Sequence, residues 1–198
     1  MFWPFKKNPP ESGLWDAFAG RGNSRDVLIE KAGKLAPVLV AWTRLTTGSL
    51  IDFCEKDSRQ VNVRSKTPVV AFEVLLFYLH MTDRISQRHL DRDRAHFFMD
   101  TLLPQTRNLL AEDEKNATGL HSFAGELRDM YNDRQLEYSY YRFGPVGEGS
   151  LKGTLLWEFD KRISELLGFI ADVPTIMAVQ SFIVEGLNYI RLQELFAE

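Results

Sequence analysis

Apolar residues recur every three or four positions over most of the chain, the spacing of one face of an α-helix. Val27, Leu28, Leu35, Leu39, Trp42 and Leu45 form the first such stripe, and Asn23 or Ser24 stands where a helix N-cap belongs. They predict a helix over about 25–47, kinked at the Pro37 inside it. Residues 48–66 read as a polar connector in which Leu50, Ile51 and Phe53 form a short helix. The alternation over 60–64 has no second strand to pair with and reads as loop. Thr67-Pro68 is a helix start, a hydroxyl N-cap followed by proline in the first turn.

The helix that follows, about 68–89, is apolar on every side over 69–79 apart from Glu73. A helix apolar all round is a buried one, so this becomes the central element. Asp91 caps a further helix over about 92–111, interrupted by Pro104, and another spans about 118–142. Residues 144–153, with four glycines and a proline, form the clearest loop. Two helices close the chain, about 154–170 and 174–196, the second started by Asp172 and Pro174. The pattern predicts an all-α bundle of about six helices around 68–89. An irregular lead-in over 1–22 precedes a single helical domain over 23–198.

Composition narrows the class. A chain of 198 residues with 44% hydrophobic and 12% aromatic content buries a large core and does not stay disordered. The one cysteine, Cys54, excludes an internal disulfide framework and points to a reducing, cytoplasmic location. A net charge of −3 argues against nucleic-acid binding, which needs a basic face to displace counterions. The basic stretches at 56–66 and 84–94 do not alter this, because Asp91 and Asp93 interleave with the arginines of the second. No apolar run is long enough to span a bilayer, and the opening residues put aromatics ahead of the charges, unlike a secretory leader.

Candidate chemistry concentrates on the central helix. Glu73, His80 and Arg84 are seven and four residues apart and share one face, with Asp83 at its edge. Buried carboxylates and imidazoles need compensating partners. One reading makes these groups a catalytic or ligand-binding pocket, with His80 as acid or base and Glu73 or Asp83 orienting it. In the other they form an internal ion-pair and hydrogen-bond network that fixes helix order, and this reading is preferred. A metal held by His80 and Glu73 with acids such as Glu126, Glu158 or Glu185 is a weaker variant. No Glu-x-x-His or His-Glu-x-x-His occurs, and His89 and His96 are separated by the capping Asp91. The segment 144–154 resembles a phosphate cradle only in its glycines, since no Gly-Lys-Ser/Thr triplet is present. No G-x-S-x-G elbow or dinucleotide fingerprint appears, and no cofactor is predicted.

The aromatic run Tyr138, Tyr140, Tyr141 and the Trp3 of the N-terminus are interface-like residue types that cannot all face one core. Two function classes follow. The first is a self-associating helical interaction or regulatory protein with a structural Glu73/His80/Arg84 group. The second is an enzyme or a small-ligand or metal-binding bundle whose pocket opens on Glu73 and His80.

Overall fold

The computed structural model describes residues 14–56, 62–112, 118–142 and 153–197. Among them every regular element is helical: α1 (Arg25–Glu55), α2 (Thr67–His89), α3 (Arg92–Ala111), α4 (Leu127–Ser139), α5 (Leu155–Leu167), α6 (Val173–Ile190) and the five-residue α7 (Leu192–Phe196). The all-α bundle expected from the hydrophobic pattern is therefore present. No helix of the described residues is long and apolar enough to cross a membrane.

Local chemistry sets most of the helix starts. Ser24, Asp91, Thr154 and Asp172 each accept a hydrogen bond from a backbone N–H in the first turn, at 3.4, 2.9, 3.3 and 3.1 Å. Such caps satisfy donors that the helix itself leaves orphaned. Thr67 does not cap α2 as expected. A 3-10 turn over Val63–Lys66 leads straight into it, so Thr67 is already helical, and Pro68 lies in the first turn.

Several boundaries differ from expectation. The first helix does not stop near residue 47 but runs to Glu55, absorbing the short helix expected at Leu50 and Ile51. The reason is periodic: Leu28, Leu35, Leu39, Thr43, Thr46, Leu50 and Cys54 are all buried at steps of three, four or seven. Pro104 does not interrupt α3, which is continuous through it. The helix expected over 118–142 is a 3-10 turn (Leu120–Phe123) followed by the shorter α4. Gly119, at φ +67°, leads into the turn, and Gly125 lies between the two pieces. The last helix is broken at Arg191, whose left-handed φ of 49° separates α6 from α7. Of the 60–64 segment expected as loop, the described part begins at Asn62 and is a 3-10 turn; 144–152 lies outside the described residues.

Helix α2 is the central element, with sixteen of its twenty-three residues buried, and α1, α3, α4, α5 and α7 all pack on it. The end of the lead-in joins the core, since Trp15 and Phe18 are both buried. Trp15 Nε1 donates to the Ile190 carbonyl at 2.6 Å, and Asn23 Nδ2 to that of Phe196 at 3.4 Å. The fully buried Lys31 ammonium donates to Asn23 Oδ1 at 2.7 Å and to the Gly22 carbonyl at 3.2 Å. The Trp15 and Asn23 bonds fasten the lead-in to the last helices, and Lys31 holds Asn23 in place.

Candidate functional site

The polar face of α2 meets α4 and α5. Glu73, only 4% exposed, accepts a forked pair of bonds from Arg134 of α4, Nε at 3.0 Å and an amino nitrogen at 2.5 Å. Arg162 of α5 adds a third bond at 3.1 Å. Both guanidinium groups also reach Glu137, at 3.0 and 2.9 Å. Two carboxylates and two guanidinium groups thus close a charge-balanced knot between three helices. Bidentate arginine–carboxylate geometry is the strong form of this contact. The bond to Glu73 is the main reason the Arg134 guanidinium holds its proton more tightly than a free one.

One turn further along, Gln135 links two more of the α2 groups. His80 Nδ1 is bonded to Gln135 Oε1, and Gln135 Nε2 donates to Asp83 Oδ2 at 2.9 Å and also to the Tyr131 hydroxyl. A carbonyl oxygen only accepts, so Nδ1 of the neutral imidazole carries the proton and Nε2 keeps a lone pair. Nε2 is buried and has no hydrogen-bond partner among the described residues. Burial is the main force on this ring and pulls its pKa from 6.5 to about 4, so His80 is neutral near pH 7. Burial likewise raises the Asp83 carboxyl, against bonds from Gln87, Tyr131 and Gln135 and the charge of His96. Arg84 turns away from this group. It donates to the carbonyls of Tyr138 and Tyr141 at 2.9 and 3.3 Å, at the C-terminal end of α4.

The four candidates therefore do lie along one strip, each engaged by protein atoms. His80 is 2% exposed, and Tyr138 packs edge-on against its ring at 5.0 Å. A cleft of about 170 Å³ between α4 and α5 is lined by Tyr138, Arg162, Lys161 and three glutamates, and a groove of about 310 Å³ runs along Met81, Ile85, Leu187 and Leu192. Glu73, His80 and Asp83 line neither. Among the described residues no group of three or more His, Cys, Asp or Glu is placed to hold a metal. Glu73, half of the metal pair considered from sequence, is taken up by Arg134 and Arg162.

The tyrosine run separates by helical rotation: Tyr138 is buried, Tyr141 half-buried against the core, and Tyr140 is 78% exposed. Tyr140 shares its face of α4 with Leu136, itself 65% exposed. Trp3 lies outside the described residues. Sequence reasoning missed Arg134, Gln135, Glu137 and Arg162, because nothing local marks which of many surface-type polar residues turn inward. It also missed Asp160, fully buried on α5 with both carboxyl oxygens unpartnered, so burial raises its pKa well above 3.8. A signal was present, since Asp160 sits among the apolar positions Leu156, Ile163 and Leu167 at helical spacing.

A second feature passed over in the sequence is the outer face of α6. The helix has a single charged residue, the half-buried Glu185. Yet Val173 and Met177 stand 59% and 51% exposed on one face, with Ile170 at 79% just before them. Comparison with known protein families, curated proteins and solved structures gives no match to this chain.

Proposed function

We propose that this chain is a cytoplasmic helical interaction protein that associates with copies of itself, and that its buried polar strip on α2 braces the fold. The observation that carries the reading is the outer face of α6. Val173 and Met177, four residues apart on α6, and Ile170 just before it present apolar side chains to solvent at the start of a helix with almost no charge. Single exposed apolar residues are ordinary, but a cluster on one helix face marks an interaction surface. A second copy is the occupant favoured by charge. An isologous contact sets a patch against itself; the three apolar side chains bring no charge to it, and the neighbouring Asp172 is bonded to Thr175 at the helix N-cap. Leu136 and Tyr140 form a smaller second patch at the end of α4, and Tyr140 and Trp3 remain the aromatic candidates for contact.

The pocket reading is disfavoured by the same geometry. Glu73, Asp83 and Arg84 are satisfied by Arg134, Arg162, Gln135, Gln87 and backbone carbonyls, and His80 is shut in. A net charge of −3 supports protein rather than nucleic-acid partners.

Sedimentation velocity over a concentration series tests this. The wild-type chain is expected to shift from monomer to a larger species as concentration rises, and Met177→Lys to remain monomeric with an unchanged circular dichroism spectrum. A wild-type chain that sediments as a monomer throughout, or a Met177→Lys variant that associates as before, overturns the proposal.

A further inference from the structure

Helix α4 is attached differently from the rest of the bundle. Of its thirteen residues only Leu127, Tyr131 and Tyr138 are buried, against sixteen of twenty-three in α2 and seven of twenty in α3. Apolar burial is what holds most helices in place, so α4 has little of the ordinary adhesive. Its grip on α2 is instead a line of polar contacts: Arg134 on Glu73, Gln135 on His80 and Asp83, and Arg84 on the closing carbonyls of the helix. Arg162 of α5 completes the knot, bonded to Glu73 of α2 and to Glu137 of α4. Under α4 lie the imidazole of His80 and the ring of Phe77, both in edge-on contact with Tyr138.

We propose that α4 is a latched helix, fastened to α2 by the Glu73–Arg134–Arg162–Glu137 knot and the Gln135 bridge. It opens as a unit while α1, α2 and α3 stay folded, and its opening exposes the α2 face that carries His80. Local opening below the global unfolding free energy is a general property of segments with few buried apolar contacts. Desolvated ion pairs suit a latch, because their attraction roughly offsets the cost of burying them, while removal of one partner leaves charges stranded. The inference is independent of self-association through α6, which lies on other elements.

Native-state hydrogen exchange on the full chain, over a denaturant series below the unfolding transition, tests it. Amides of residues 130–135 are expected to exchange at least about tenfold faster than those of residues 74–79 in α2, with a shallow denaturant dependence. Glu73→Gln is expected to speed α4 exchange by about a further tenfold, roughly the worth of one charged hydrogen bond, and to speed the α2 amides by the same factor, because the knot is broken both when α4 opens and when the whole chain unfolds. Leu75→Ala, a core change in α2, is expected to accelerate the α2 amides and leave those of α4 unchanged, because Leu75 stays packed when α4 alone opens. If Glu73→Gln does not fold, Arg84→Ala acts on the same latch from the other end. Exchange of α4 and α2 through one common global event in the wild type, no acceleration of α4 by the latch variants, or acceleration of α4 by Leu75→Ala equal to that of α2 overturns the proposal.

Discussion

Gly186 gives a sharp test of how α1, α2 and α6 fit together. It sits inside α6, where alanine ordinarily gains about 0.8–1 kcal/mol of helix propensity over glycine. Here a Cβ would lie 2.1 Å from the Tyr78 hydroxyl oxygen, 3.0 Å from Cζ of the same ring and 3.5 Å from Trp42. The ring cannot swing away freely. Tyr78 is fully buried, and its hydroxyl is hydrogen-bonded to Thr46 Oγ1 at 2.9 Å. Overpacking costs about 1–3 kcal/mol and a broken buried hydroxyl pair about as much again. With the propensity gain subtracted, Gly186→Ala is expected to lose about 3 kcal/mol. For a chain of this length that lowers Tm by roughly 6–12 °C.

Urea unfolding, read as a double-mutant cycle with Tyr78→Phe, checks the cause. Removing the hydroxyl removes the 2.1 Å encounter, so Gly186→Ala is expected to cost about 1–2 kcal/mol less in the Tyr78→Phe background. A neutral or stabilising Gly186→Ala, or equal cost in both backgrounds, would refute the packing described for these three helices.

Two further outcomes follow from single side chains. Asp160 has no partner to hold its charge, and burial raises its folded-state pKa above the ordinary 3.8. The stability that comes from keeping it neutral is full below that value and is lost as pH rises through the folded-state pKa. The loss is about 1.4 kcal/mol per pH unit inside that window. Chemical denaturation at stepped pH is thus expected to show wild type losing ground to Asp160→Asn as pH rises, and parallel curves would contradict it. Met177→Lys, at a half-exposed position on α6, is expected to leave monomer stability within about 0.5 kcal/mol of wild type, so its effect on association can be read separately.

The legible parts of this fold are the local ones. Ser24, Asp91 and Asp172 could be read as caps because a cap acts over three residues, and the apolar stripes of α2 and α6 because burial repeats with the helical turn. Boundaries failed where a longer-range pattern overrode a local signal. Thr47-Gly48 looks like a stop, but Leu50 and Cys54 continue the buried face of α1. Pro104 looks like a break, but α3 passes through it.

The strip on α2 was legible for one side only. Glu73, His80 and Arg84 announce themselves as polar groups in an apolar helix. Their partners Arg134 and Arg162 lie 61 and 89 residues from Glu73, in segments whose composition reads as surface. The tyrosine run shows the same limit. Rotation of about 100° per residue sends Tyr138 inward and Tyr140 outward, but only the packing of α4 tells which.

His80 is an internal, neutral brace with its proton on Nδ1, bonded to Gln135 Oε1, and NMR of the imidazole nitrogens across a pH series measures this directly. The predicted result is a single Nδ1–H tautomer with no protonation until about pH 4. A pKa depressed in the fold favours the folded state above the ordinary 6.5, and that contribution is lost as pH falls through about 4. Wild type is thus expected to lose about 3 kcal/mol over this window that a His80→Asn variant does not lose. Titration near 6.5, or a mixture of tautomers, would place the ring in contact with solvent or a ligand and contradict the account.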